Sequence, residues 1–206
     1  MSTVSAVIPT IPGREELFQR AVDSVVVQTH PVDSILYGSD TEGRSPAYAR
    51  NVIMAGAQTD FVAFLDDDDT WYPHHIEGLL SVADDADVIY PWFDGAHAKT
   101  LQVLANGRPR TPLGLEFGPE QADFLRHQNF IPVTFMARTE LVLEVGGFEK
   151  PWWLPPESPC EDWGLLLKLL DAGARFKHYP AVTWTWHSHA GQTNGTNAWK
   201  QGAVHA

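Results

Sequence analysis

The plainest offer of chemistry in this sequence is the run Asp66-Asp67-Asp68-Asp69. Four adjacent carboxylates repel one another and raise each other's pKa, a conflict that a shared cation relieves. Hard divalent ions such as Mg2+ or Mn2+ prefer carboxylate oxygen, and Mg2+ completes its shell with waters and substrate phosphates. The implied ligand is a metal plus a phosphate. A calcium loop of EF-hand type would also use Asp66, Asp68 and Glu77, but Trp71 stands where that loop needs glycine. A solvated acidic loop is the plainer alternative, and it fits poorly directly after the apolar run Phe61–Leu65. Two other groups stand out. Trp152-Trp153 could stack on the C–H faces of a sugar or simply cap a core, and Glu161-Asp162 would satisfy the positive end of a helix.

The elements around these residues follow from periodicity and punctuation. Val4 to Ile8 is a β-branched run closed by Pro9-Thr10, a strand that delivers Thr10 to a sheet edge. Leu17, Phe18, Ala21, Val22 and Val25 recur at helical spacing between Arg14 and Gln28, and His30-Pro31 ends that helix. A strand over Ser34–Tyr37, a turn-rich loop over 38–43, a helix opened by Pro46 and ending near Gly56, and the strand Phe61–Leu65 complete a βαβαβ unit. The aspartates then lie at the carboxyl end of a central strand, where open α/β sheets bind ligands. Downstream, the pattern predicts a helix over Pro73–Ala83, a strand at Val88–Tyr90 and an irregular excursion from Asp94 to Gly118. A short helix over Pro119–His127 and a strand over Ile131–Ala137 follow, then a helix capped by Thr139 that runs through Val145 to Gly146-Gly147. The proline-rich loop from Glu149 to Cys160 precedes a helix from Glu161 to about Gly173, two closing strands at Arg175–His178 and Val182–Trp186, and a polar tail from Ser188.

Composition narrows the partners. With 206 residues the chain is one domain or two closely fused halves, long enough for a substantial core, and 26 acidic against 14 basic residues give a formal charge of −12. Without a basic cluster, nucleic acid and anionic membranes are not expected partners. Cys160 is the single cysteine, so no intrachain disulfide is possible. No apolar stretch reaches transmembrane length and no leader pattern opens the sequence, which leads to the expectation of a cytoplasmic protein without a transmembrane segment.

The order of motifs carries more than any one of them. Val7-Ile8-Pro9-Thr10, Gln28-Thr29-His30-Pro31, Ala49-Arg50-Asn51, Phe64-Leu65-Asp66-Asp67-Asp68-Asp69-Thr70-Trp71-Tyr72-Pro73, Gly146-Gly147-Phe148 and Glu161-Asp162-Trp163 occur in sequence. Together they resemble the family-2 glycosyltransferases of the A-type fold, inverting enzymes that move a sugar from a nucleotide-diphosphate donor to an acceptor hydroxyl. The resemblance implies a single Rossmann-like α/β domain with a mainly parallel central sheet flanked by helices and a smaller acceptor-side portion. Residues 1–93 would form the half that binds nucleotide-sugar and metal, and 94–206 the acceptor half with the catalytic base. It further implies that Pro9, Thr10, Arg14, Asp40, Arg50, Asp66 and Asp67 hold the nucleotide-sugar. Asp68, Asp66 and His187 would hold Mn2+ or Mg2+, with Asp69 just outside the metal shell. Asp162 matches the general base, and Trp152, Trp153, Glu161 and Trp163 would face the sugar or the acceptor, which could be a glycan, a protein or a small molecule.

Two departures from the family pattern qualify that reading. Only the late acid Asp40 follows the second strand, where relatives often place two, and Lys168 stands where relatives use arginine, keeping the charge but losing the bidentate fork. Two other functions stay open at this point. Asp66-x-Asp68-x-Thr70 also resembles the nucleophile motif of haloacid-dehalogenase-type phosphatases, although such enzymes place it on their first strand and here two βα units precede it. A nucleotide-sugar-binding protein without turnover is the other, with Lys168 marking a decayed site and the retained Asp162 arguing against it.

Overall fold

Strand β1 (Val4–Thr10) buries its first five residues on both faces, as expected of a run of small and β-branched side chains at the middle of a parallel array. It pairs in parallel with β2 (Ser34–Ser39) on one side and with β3 (Phe61–Phe64) on the other. The connections are helices α1 (Glu15–Val26), which buries Ala21 and Val25, and α2 (Pro46–Met54). Ser45 opens α2 by accepting the Tyr48 N–H at 3.1 Å, with Pro46 in the first turn, where its missing N–H is harmless. The computed structural model describes residues 2–95, 116–155 and 160–188.

Past β3 the chain runs through β4 (Thr70–Trp71), α3 (His75–Leu80), β5 (Val88–Gly95), α4 (Pro119–His127), β6 (Met136–Arg138), α5 (Thr139–Glu144), α6 (Glu161–Asp171) and β7 (Phe176–Trp186). One seven-stranded sheet results, ordered β2-β1-β3-β6-β5-β7-β4. The expected α/β domain with a single central sheet is present, but the sheet is mixed, not mainly parallel. β6 runs antiparallel to both β3 and β5, and β4 antiparallel to β7, while β1–β2, β1–β3 and β5–β7 are parallel. An apolar run of three or four residues records burial on both faces and says nothing of strand direction.

Other differences have local causes. The expected strand over Ile131–Ala137 contracts to Met136–Arg138, since Pro132 has no N–H to give to a ladder and the backbone there turns, Phe135 N–H reaching the Val133 carbonyl at 2.8 Å. Thr139 is the first residue of α5 and not its cap, which is Arg138. The helix over Pro73–Ala83 shortens to α3. The two closing strands are one, β7, whose register against β5 shifts opposite Pro91 and Trp92. Most of the excursion, Pro156 and Pro159 of the proline-rich loop, and the tail beyond Ser188 with His189 lie outside the described residues.

Side-chain alternation divides the core into two layers. Val7, Val62, Phe64 and Val88 pack on one face with Leu165, Leu166 and Leu169 of α6, and Ala6, Ile8, Ala63 and Leu65 on the other with Val25, Ile76, Leu79 and Trp184. The loops that leave β1, β2 and β3 meet at one edge, stitched by Asp40 N–H to the Thr10 carbonyl at 2.9 Å and Leu65 N–H to that of Val7 at 3.1 Å. Among the described residues no helix is long and apolar enough to cross a membrane.

Candidate active site

The acidic run forms a tight loop leaving β3. Asp69 N–H closes it on the Asp66 carbonyl at 3.1 Å, and β4 then pins the exit against β7. Asp67 is buried and turned toward the loop after β1. Thr10 Oγ1 donates to its Oδ2 and Arg14 Nη1 to its Oδ1, each at 2.7 Å. Arg14 also lies 3.5 Å from Asp68 Oδ2, and Arg20 donates to the Asp68 carbonyl at 2.7 Å. The structure thus gathers Thr10, Arg14 and Asp67, three of the residues the sequence assigns to the donor, with Pro9 beside them on β1.

Asp66, Asp68 and Asp69 form a second group, each offering an oxygen within 4.8 Å of the others. Loss of water raises the Asp66 carboxyl, with Arg50 opposing the rise and Asp68 adding to it. Asp69 is pushed well above the usual carboxylate range, first by burial and then by Asp66 and Asp68. Three crowded carboxylate groups, two of them with their charged forms disfavoured, suit a hard divalent cation, which would remove the conflict on binding. Asp69 therefore stands within the group and not outside it. His187 is not part of it: its Nε2 lies 2.9 Å from Thr70 Oγ1, and its N–H donates to Asp69 Oδ1 at 3.0 Å.

Arg50, buried on α2, spends its fork inside the protein. Nη2 binds Asp66 Oδ1 at 2.5 Å and Nη1 binds Glu161 Oε1 at 2.6 Å, with the guanidinium 5.2 Å above the Phe148 ring. Two carboxylates keep it firmly charged. Its terminal nitrogens are thus committed to acids, not turned outward to a phosphate, and Glu161 is committed with it. Next to Glu161, Asp162 is half-buried, its Oδ1 accepting the Trp163 N–H at 2.7 Å and its Oδ2 the Asn129 amide at 3.1 Å. Burial first and Glu161 second push its carboxyl up to about 7, the range a general base needs at neutral pH. The Cys160 thiol beside them is pushed up to about 12 by burial and these acids, which makes it inert as a nucleophile.

The aromatic residues separate. Trp163 is core, its Nε1 donating to the Leu125 carbonyl at 2.7 Å, because the side chain projects from α6 toward α4. Trp153 meets it edge-on at 6.1 Å, and Trp152, 89% exposed, meets Trp153 edge-on at 6.1 Å. Asp40 faces its own loop, accepting the Ser45 N–H at 3.0 Å, and backbone donors led by Arg44 hold its carboxyl below the usual range. Beside it, Asp40, Tyr48, Val52 and Gly38 line a cleft of about 200 Å³. Lys168 lies 3.7 Å from Glu149. Asn129 and Arg20, which stand in no motif of the sequence, also contact Asp162 and the Asp68 carbonyl, respectively, and Asp69, whose only sequence signal is its place in the run, lies with Asp66 and Asp68.

The family model described as glycosyl transferase family 2 matches residues 35–146, more than half the chain. The chain belongs to glycosyl transferase family 2. This membership sets aside the phosphatase alternative. The pre-mycofactocin glycosyltransferase of Mycobacterium tuberculosis is 30% identical over 158 residues, which cover 72% of this chain and 31% of that protein. The chain thus spans about a third of the length of the curated relatives it matches. Two solved structures share the A-type fold. S. aureus TarS 1-349 in complex with UDP-GlcNAc has a TM-score of 0.68 at 16% identity over 93% of this chain and 60% of its own. The mannosyltransferase PcManGT from Pyrobaculum calidifontis, in complex with GDP-Man and Mn2+, has a TM-score of 0.62 at 17% identity over 97% of this chain and 60% of its own.

Proposed function

We propose that this member of family 2 is a metal-dependent inverting glycosyltransferase that moves a sugar from a nucleotide-diphosphate donor to an acceptor hydroxyl. The observation that carries the reading is the pairing of two carboxylate sites through one buried arginine. Arg50 joins Asp66 of the three-acid group to Glu161, the neighbour of a carboxyl poised near neutrality, Asp162. Donors of this class are supported by the UDP-GlcNAc and GDP-Man complexes of the two structural neighbours, and a divalent ion by the Mn2+ of the second.

In this reading Asp66, Asp68 and Asp69 hold Mn2+ or Mg2+, which when bound offsets charge on the departing diphosphate. Thr10, Arg14 and Asp67 form the wall nearest the nucleotide. Asp162 takes the acceptor hydroxyl proton while that oxygen bonds to the anomeric carbon and the bond from that carbon to the diphosphate oxygen breaks. A single displacement with one base inverts the anomeric centre. Arg50 keeps Asp66 and Glu161 in place, and the exposed Trp152, with Trp153 edge-on beside it, offers an apolar ring face for the acceptor.

The test is incubation with a panel of nucleotide-sugars that includes UDP-GlcNAc and GDP-Man, with and without Mn2+, scored by release of nucleoside diphosphate. Release that requires the ion and falls with Asp162→Asn supports the proposal. Nucleotide-sugar binding with no release from any donor, in the presence of a broad set of hydroxyl acceptors, would identify a binding protein instead.

A further inference from the structure

We infer that Asn129 is the positioning residue for the base Asp162, setting the plane of its carboxylate toward the incoming hydroxyl. The inference rests on the reading of Asp162 as base and adds to it a residue that no motif marks. Asn129 lies in the segment after α4, half-buried, directly before Phe130 and Ile131, which are packed in the core. Its Nδ2 donates to Asp162 Oδ2 at 3.1 Å, while its Oδ1 accepts the Ile131 N–H at 3.1 Å. The second bond settles how the amide faces. A flipped amide would set its NH2 against the Ile131 N–H and its oxygen against the carboxylate, two repulsive contacts in place of two bonds.

The carboxylate is held at both ends. Oδ1 is taken by the Trp163 N–H at 2.7 Å, a bond that is local to the start of α6 and would by itself allow the outer oxygen to swing. Asn129 stops that swing from a different element anchored in the core. Each carboxylate oxygen has two lone pairs, so these donors leave acceptor capacity for the proton that leaves the acceptor hydroxyl. The charged groups around Asp162 could not do the same work. Glu161 and Asp66 have its own sign, and the Arg50 fork is occupied by those two acids. A neutral amide that donates and cannot itself titrate orients the base without taking its proton. Preorganisation of this kind supports turnover far more than it supports folding.

The test combines Asn129→Ala, Asn129→Asp, Asp162→Asn and the double variant Asn129→Ala with Asp162→Asn. Each is measured for turnover with the donor found in the panel, for UDP and GDP binding with Mn2+ by calorimetry, and for melting temperature. Asn129→Ala should lower kcat about 10- to 100-fold, the scale of a hydrogen bond to a charged group, with nucleotide affinity unchanged. Asn129→Asp keeps the shape and the acceptor for Ile131, so it folds, yet it replaces the donor with a like charge and should lower kcat at least as far. In the Asp162→Asn background, Asn129→Ala should change the residual rate by no more than about twofold, because the group it serves is gone. A wild-type kcat in Asn129→Ala or Asn129→Asp beside an impaired Asp162→Asn would overturn the inference alone. So would an equal loss from Asn129→Ala in both backgrounds. Full activity of Asp162→Asn would overturn the base assignment itself, and this inference with it.

Discussion

In the proposed mechanism burial and function pull in opposite directions at Asp162, and pH separates them. A base must be ionised, so turnover should rise with pH through about 7 and level off above it, and in Asp162→Asn that limb should disappear with a loss of roughly 100-fold or more. Stability runs the other way. A carboxyl whose folded-state pKa lies above its unfolded value binds its proton more tightly when folded, so its ionisation weakens the fold progressively from about pH 4 up to about 7. Asp162→Asn should therefore melt higher than wild type at pH 8, with the gain shrinking toward pH 4. An acid that merely favours the helix terminus would show the opposite sign. The proposed metal site yields a second expectation. With Asp69 beside Asp66 and Asp68, Asp69→Ala should weaken Mn2+-dependent binding of nucleoside diphosphate about as much as Asp68→Ala, and chelator should abolish it in the wild type. Calorimetry on both variants checks this, and a normal Asp69→Ala would leave the ion to the other two acids.

At the scale of elements, the short sequence Arg50-Asn51 does two jobs at once. Arg50 joins α2 to the acidic loop and to the start of α6, while the Asn51 amide pairs with the Phe148 backbone in both directions, at 2.7 Å and 2.9 Å. Arg50→Met would strand Asp66 and Glu161 and should cost about 3 kcal/mol or more, read by denaturant unfolding at pH 7. Arg50→Lys keeps one charge without the fork and should recover only part of that loss. Two glycines let these pieces approach. Gly147 has a φ of +66° with Asn51 beside it, and a Cβ on Gly164 would run into the Glu149 carbonyl. Gly164→Ala should cost about 1–3 kcal/mol, as overpacking does, and move α6 with its two acids. Much of this arrangement is legible in the sequence, since apolar alternation, Pro46 and the Gly-Gly turn place the helices and the first three strands. What periodicity cannot give is direction or distance. Nothing in Met136–Arg138 says antiparallel, two residues are too few to announce β4, and a lone Asn129 has no pattern around it. Arg50 and Trp163 show the other gap, because a motif names a residue without saying whether it faces a ligand or its own protein.

Across the whole molecule, the sheet interleaves early and late segments. β6 lies between β3 and β5, and β7 between β5 and β4, so residues 1–93 and the remainder share one hydrogen-bonded array. A polar clamp secures the join at its far end. Asp87 accepts Arg175 at two nitrogens, each at 2.9 Å, and Arg138 Nε at 3.0 Å. The hydrogen bonds from Arg175 chiefly hold its carboxyl down to about 2. A lowered folded-state pKa stabilises above the unfolded value near 4 and is lost as pH falls through about 2. Both arginines are partly open to solvent, so Asp87→Asn should cost only about 1–2 kcal/mol at pH 7, a cost that fades as pH falls through about 2, in paired melting curves.

The two-residue strand β4 has a consequence in time as well as in space. It is held by β7, and the Asp69 carboxylate receives the N–H of His187, so the acidic loop takes its final shape only when residues 184–187 have docked. A contact between positions 118 apart is a slow one to close, and during synthesis the aspartates leave the ribosome long before the segment that orders them. Ion capture should then lag behind secondary structure in stopped-flow refolding, so that Mn2+ reports the completed protein and not the assembling one.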